Sequence, residues 1–280
     1  MFSEYMYSRS YRGRIKALVL DWSGTLVDAF VMAPTVVFVE VFAKQGVEIS
    51  MSEARIPMGL RKDLHIEKLA NYPKIRERWK SAKGRYPTKR DIDAMYRDFV
   101  PLQLECLAKY ATLLPGVAET ALQIQDEGVK IGITTGFTRA MVDVLLTETD
   151  KQEFYPDATV AGDDVKHGVR PAPFMLYRNL ELMNVHPIES VIKVDDTLSG
   201  IEEGLAAGCW AVGIAGYSNY MDINSLEEAE SLPQRVMERK LANSRLLLNK
   251  GGAHYVIDEF SQLPEVIDKI GARLQAGEKP

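Results

Sequence analysis

Three carboxylates stand where strands would deliver them. Asp21 ends the apolar run Leu18-Val19-Leu20 and leads into the turn Trp22-Ser23-Gly24-Thr25. Asp195 and Asp196 end a second run, Ser190 to Val194. Open α/β sheets bind ligands at the carboxyl ends of their strands. Backbone N–H groups and a hydroxyl in the Ser23-Gly24-Thr25 turn can face an anion there. Two adjacent acids repel unless a cation lies between them and the rest of the site. With Asp21 they make an oxygen-rich set suited to Mg²⁺. An Asp at a strand end, a Gly-Thr turn and a metal together suggest phosphoryl transfer through an aspartyl-phosphate. Thr134, Thr135 and Gly136 follow a third apolar run and can hold a phosphoryl oxygen; a Thr that only satisfies its own turn is equally compatible. Arg170-Pro171 puts a cation ahead of a helix, which suits an anion, although a loop Arg is more often solvated. Lys193 alternates with apolar neighbours, and its direction stays open.

The elements that must position these groups follow from periodicity. Residues 15–28 read as a buried strand and turn. Val37, Phe38, Val41 and Phe42 recur at helical spacing until Gly46. Ser50 with Glu53, and Thr88 with the run to Tyr110, read as capped helix starts; Pro101 predicts a kink in the latter. Pro57 and Gly59 interrupt the helical pattern, and Lys62 to Leu69 resumes it. Nothing between 28 and 110 reads as a strand. From Gly116 onward helices and strands alternate, which implies a doubly wound parallel sheet. The expected domains are a flexible lead over 1–14, an α/β core over 15–28 and 111–280, and a helical cap over 29–110. Residues 217–250 read as polar surface helices.

Composition narrows the function. The chain has 280 residues, 46% hydrophobic, and a formal net charge of −5, so no nucleic-acid footprint is expected. No apolar run reaches the ~20 residues of a membrane span. Two distant cysteines, Cys106 and Cys209, fit a reducing compartment, and a cytoplasmic location is expected.

The D-x-x-G-T pattern at Asp21 resembles the first motif of the haloacid dehalogenase-like hydrolases. In the phosphatases of that superfamily the residue two after the nucleophile is a second Asp that protonates the leaving group. Here it is Ser23, so another electrophilic aid is implied. LDWSGTLVD, PMGLRKDLH, ITTGFTR, GVRPAP, KVDDTLSGIEEGLAAG and GAHYVID together resemble the phosphonoacetaldehyde hydrolase family over nearly the whole chain. The resemblance implies that Asp21 is nucleophile and Mg²⁺ ligand, that the Ser23 carbonyl and Asp196 complete the protein ligands, and that Lys62 forms a Schiff base. It implies that Thr135, Gly136 and Arg170 hold the phosphonate, with Met58 and His65 on the cap side. It also implies a small phosphonate substrate, a role in 2-aminoethylphosphonate breakdown and a homodimer through the cap. Burial, with Arg61 or the metal, is expected to depress the Lys62 pKa. Ser23, Leu26, Phe137 and Gly200 depart from the usual Ala, polar residue, Tyr and Asp. A Mg²⁺-dependent phosphomonoester hydrolase or phosphomutase, and a non-catalytic scaffold, are the competing readings.

Overall fold

The structure, a computed structural model, describes residues 10–167 and 169–280. The expected lead over 1–14 lies mostly outside those residues, as does Gly168 of the GVRPAP motif. Residues 12 and 14 lie against the core, with Gln275 donating to the Arg12 carbonyl and Arg14 to the Glu127 carbonyl.

The chain begins with strand β1 (Ala17–Leu20). It then runs through five helices without a strand: α1 (Met32–Lys44), α2 (Met51–Ala54), α3 (Lys62–Asn71), α4 (Pro73–Lys83) and α5 (Lys89–Leu107). Alternation follows: α6 (Val117–Asp126), β2 (Lys130–Thr134), α7 (Arg139–Asp150), β3 (Ala158–Val160), α8 (Phe174–Met183), β4 (Val191–Asp195), α9 (Leu198–Ala207) and β5 (Trp210–Ile214). α10 (Leu226–Ser231), α11 (Gln234–Lys250), β6 (Tyr255–Ile257) and α12 (Leu263–Gln275) complete the chain. All six strands are parallel, in the order β3-β2-β1-β4-β5-β6. The architecture is a doubly wound α/β core carrying an inserted all-helical cap.

Local chemistry explains the boundaries. Ser50 and Thr88 each accept from the backbone amide three residues on, and Glu53 and Asp91 reach back to the cap amide. These reciprocal bonds satisfy donors that a helix start would otherwise orphan. Gly84 ends α4 in the left-handed region. α5 runs through Pro101, and a single 3₁₀ turn carries the chain on to Tyr110. α4 is longer than the short segment Ile75–Trp79 that periodicity suggests, because Pro73 at its first turn is pre-organised for a helix. One expectation fails in part. Residues 217–250 are not all surface: Ser218, Asn219, Met221, Ile223, Ser244 and Leu248 are buried. Their polar spacing hides a core-facing loop that ends at the active site.

The cap has its own apolar interior. Trp79 is fully buried and meets Phe42 edge-on at 6.5 Å, while Phe38 stacks on Phe99 at 4.6 Å. Trp79→Ala should cost about 3–5 kcal/mol of unfolding free energy, since a large cavity would open in packed surroundings. Urea denaturation followed by circular dichroism measures it, and a loss below about 1 kcal/mol would contradict this packing.

Candidate active site

β1 and β4 are neighbours, although the chain visits β2 and β3 between them. The strand order therefore reverses at this pair, and a crevice opens beyond their carboxyl ends. Asp21 follows β1, Asp195 closes β4 and Asp196 comes next. Their carboxylate oxygens lie within 4.8 Å of one another, and all three side chains are buried. Asp196 Oδ2 accepts the Asn219 amide at 2.8 Å, while Oδ1 has no partner among the described residues. Burial, with Asp195 and Asp21 beside it, pushes the Asp196 carboxyl well above the usual carboxylate range. Such crowding, with one carboxylate oxygen left unpartnered, fits a hard divalent cation with oxygen ligands. Asp21 and Asp196 offer side-chain oxygens, and Ser23 lines the same cleft.

Beneath the carboxylates lies a buried ion cluster. Arg170 donates to Asp21 Oδ2 at 2.9 Å, to Glu203 at 3.0 Å and to the Thr134 carbonyl at 2.7 Å. It also pairs with Asp195 at 3.2 Å. Lys193 donates to the Thr134 hydroxyl at 2.7 Å and pairs with Asp195 at 3.1 Å and Glu203 at 3.3 Å. The Thr134 hydroxyl in turn donates a hydrogen bond to Glu203 Oε2 at 2.9 Å. Burial raises the Asp21 carboxyl pKa despite the guanidinium beside it. Against the same burial, Arg170 and Lys193 hold Asp195 below the ordinary range. Removing either cation would strand uncompensated buried charge, at a cost of about 3–5 kcal/mol.

The cap supplies the opposite wall. Met58, Gly59 and Lys62 line a cleft of about 280 Å³ with Asp21, Ser23, Val31, Pro34, Thr135, Gly136, Phe137, Asp196 and Thr197. The Pro-Met-Gly turn packs tightly on the core. A Cβ on Gly59 (φ +89°) would fall 2.0 Å from Ser199 Oγ, and one on Gly136 would fall 2.5 Å from the Leu60 carbonyl oxygen. Only glycine allows both approaches. Lys62, in the first turn of α3, is buried, with Nζ 4.5 Å from the Phe137 ring centroid. Burial lowers its pKa to about 8, with Arg170 adding to the shift and Asp21 opposing it.

Asp21, Ser23, Met58, Lys62, Thr135, Gly136 and Asp196 thus come together around one cleft. Two expected residues take other places. Arg170 lies under the floor, committed to carboxylates, and is not part of the cleft wall. His65, in α3, is fully buried inside the cap, stacked on Phe38 at 3.7 Å, with Nε2 2.8 Å from the Ala54 carbonyl oxygen. Burial holds it well below its usual pKa. Arg61 is not the cation that depresses Lys62, because its guanidinium is tied to Asp63 at 2.7 and 2.8 Å. The Thr134 hydroxyl, expected to face a phosphoryl oxygen, instead meets Glu203, Lys193 and Arg170, while Glu203, Phe137 as the platform beside Lys62, and the Ser218-Asn219 support of Asp196 carry no such expectation from the sequence. An acid in the middle of a helix carries no sequence mark of burial. Phe137 was visible only as a departure at its position.

A parallel sheet with an acidic crevice at its switch point, covered by a helical insert, is the architecture of haloacid dehalogenase-like hydrolases. Residues 15–208 match that family, to which the chain belongs. Its similarity is more specific still. It is 40% identical over 276 residues to the phosphonoacetaldehyde hydrolase of Syntrophobacter fumaroxidans, covering 99% of each chain. It is 41% identical to that of Vibrio cholerae over 268 residues, 95% of this chain and 98% of the other. The crystal structure of a phosphonoacetaldehyde hydrolase-like protein from Oleispira antarctica superposes with a TM-score of 0.95 at 35% identity, covering 99% of this chain and 100% of that one. Within its superfamily the chain therefore belongs to the phosphonoacetaldehyde hydrolase family. Among the described residues no helix is long and apolar enough to cross a membrane.

The depressed Lys62 pKa is directly measurable. At neutral pH about one molecule in ten would carry the free amine, against fewer than about one in a thousand at the ordinary value. NMR of labelled lysine ammonium groups should show one residue, lost in Lys62→Ala, titrating near 8. A midpoint near the ordinary ~10.4 would contradict the environment described here.

Proposed function

We propose that this protein hydrolyses the carbon–phosphorus bond of phosphonoacetaldehyde to acetaldehyde and phosphate, with Lys62 as imine-forming amine and Asp21 as nucleophile. The observation that carries the reading is a buried, uncharged-prone lysine facing an aspartate nucleophile across a cleft that lacks a second Asp at Ser23.

The chemistry requires both groups. A C–P bond has no leaving oxygen to protonate, and its direct cleavage would expel a carbanion. The Lys62 amine adds to the aldehyde carbonyl and loses water, leaving a protonated imine. Asp21 then attacks phosphorus. The C–P electron pair moves into the imine, giving an enamine on Lys62 and an aspartyl-phosphate on Asp21. Water hydrolyses the acyl phosphate to phosphate. The enamine takes a proton on carbon, and hydrolysis of the resulting imine releases acetaldehyde and restores the amine. Phe137 holds the amine at the apolar wall, while Thr135 and the Gly136 turn face the phosphonate. Arg170 acts on the phosphorus chemistry through Asp21, whose carboxylate it orients. Mg²⁺, held by Asp21, the Ser23 carbonyl and Asp196, would supply charge neutralisation for the phosphoryl oxygens. Asp195 is engaged by Arg170 and Lys193 and serves as their counter-charge.

Homodimerisation through the cap belongs to the same reading. Val37 and Phe42 are used up inside the cap, while Val36 and Val39 are half-buried at its surface. A phosphomonoester hydrolase on this scaffold would need the acid that Ser23 does not provide.

Acetaldehyde release from phosphonoacetaldehyde, measured with Mg²⁺ for wild type and Lys62→Ala, tests the proposal. Turnover should fall by at least about a thousandfold in the variant. Turnover of sugar phosphates that survives the substitution would overturn it.

A further inference from the structure

The catalytic turn of the cap is tied to the core by one buried cation that the chemistry above does not use. Arg55 lies just after α2, seven residues before Lys62, and only 4% of it is exposed. Its Nη1 donates to Asn224 Oδ1 at 2.7 Å and lies 3.7 Å from Asp222 Oδ1. Its Nη2 donates to the Ile223 carbonyl and, at 3.3 Å, to the Phe30 carbonyl. Asn224, Asp222 and Ile223 belong to the core loop after β5. Phe30 belongs to the linker that leads from β1 into the cap.

Both ends of this contact reach the active site. The Arg55 carbonyl accepts from Asn219 Nδ2 at 3.3 Å, and the Asn219 amide donates to Asp196 Oδ2 at 2.8 Å. The Ser218 hydroxyl donates to the Asp196 carbonyl oxygen at 2.8 Å. On the cap side, the segment from Arg55 leads through the Pro57-Met58-Gly59 turn to Lys62, and Met58 offers its carbonyl to Ser199 at 3.3 Å. Phe30 is itself fixed to the core through its amide, which donates to the Tyr217 carbonyl at 2.8 Å. The linker is an unusual piece of backbone. Asp28, Phe30 and Val31 all have positive φ, at 56°, 64° and 54°. A β-branched residue such as Val31 holds that conformation only where its surroundings enforce it.

We propose that Arg55 is a positioning residue that clasps cap, linker and core loop together, and so sets Lys62 against Asp21 and Asp196. One guanidinium spans three backbone segments that a cap movement would separate. Its planar fork matches the Asn224, Ile223 and Phe30 oxygens in a way that a lysine ammonium cannot. The side chain is too deeply desolvated to serve as an ordinary surface pair, so losing it leaves several acceptors unpaired at once. This inference rests on the reading of Lys62 as the imine-forming amine for its kinetic consequence, but not for its structural one.

The test uses Arg55→Ala, Arg55→Lys and Asn224→Ala in the full chain, Asn224 being exposed and outside the cleft lining. Two readouts are taken: kcat/KM for phosphonoacetaldehyde, and backbone hydrogen exchange. Arg55→Ala should lower kcat/KM by about 10- to 100-fold and Asn224→Ala by about three- to tenfold, with Arg55→Lys restoring only part of the loss. The double variant should be little worse than Arg55→Ala alone, because both substitutions break the same contact. Exchange should quicken together in residues 28–31, 55–61 and 217–224, while β1, β2 and β4 keep their protection. The proposal is overturned if Arg55→Ala stays within about twofold of wild type, if the two losses multiply independently, or if exchange quickens across the sheet as well. Should Arg55→Ala not fold, Asn224→Ala decides: exchange unchanged in all three segments rejects the clasp. A wild type that releases no acetaldehyde would defeat the Lys62 reading, and the exchange pattern would still judge Arg55.

Discussion

The ion cluster around Arg170 is the constraint on which the rest depends. A sheet that brings Asp21, Asp195 and Asp196 to one switch point gathers like charges in a place nearly closed to water. Buried carboxylates are tolerable only when paired. Arg170 and Lys193 supply the pairing from below, and Glu203, which accepts from the Thr134 hydroxyl, adds a further counter-charge to both cations. Asp196, which lines the cleft, keeps Oδ1 without a hydrogen-bond partner among the described residues. The floor is therefore both a solution to burial and the device that orients the Asp21 carboxylate, the nucleophile of the proposed reaction.

The cap answers a different requirement. In the proposed mechanism the Lys62 amine must be uncharged to add to an aldehyde, which calls for removal from water, and α3 buries it where its first turn sits on the core. Gly59 and Gly136 allow the backbones to approach, and Phe137 gives the amine an aromatic face without a competing hydroxyl. The same closeness makes the cleft small. Floor and wall thus belong to separate units, and catalysis depends on how well the two are held in register.

Much of this was legible in the sequence because local chemistry wrote it. The apolar run before Asp21, the capping boxes at Ser50 and Thr88, and the Pro and Gly residues flanking Met58 each carry a mechanism that acts over a few residues. What escaped is non-local. Glu203 reads as a solvated helix position until β4 and β2 are placed beside it. Lys193 lies in a strand buried on both faces, so alternation cannot say which way it points. Arg170 was expected at a ligand and instead meets three carboxylates that no spacing brings together. Arg61 looked like the natural neighbour of Lys62, but a partner two residues away, Asp63, had already captured it. His65 follows Lys62 by three residues, yet its ring turns back into the cap, where Phe38 stacks on it. The polar stretch after β5 concealed Ser218 and Asn219 because their polarity serves Asp196 and not solvent.

The central claim is that carbon–phosphorus cleavage passes through an imine on Lys62. The most direct measurement is borohydride reduction during turnover of phosphonoacetaldehyde, followed by peptide mapping. The account predicts irreversible inactivation with a single alkylated residue, Lys62, bearing an ethyl group left after loss of phosphate. Full activity retained through the treatment, or alkylation at any lysine other than Lys62, would contradict it.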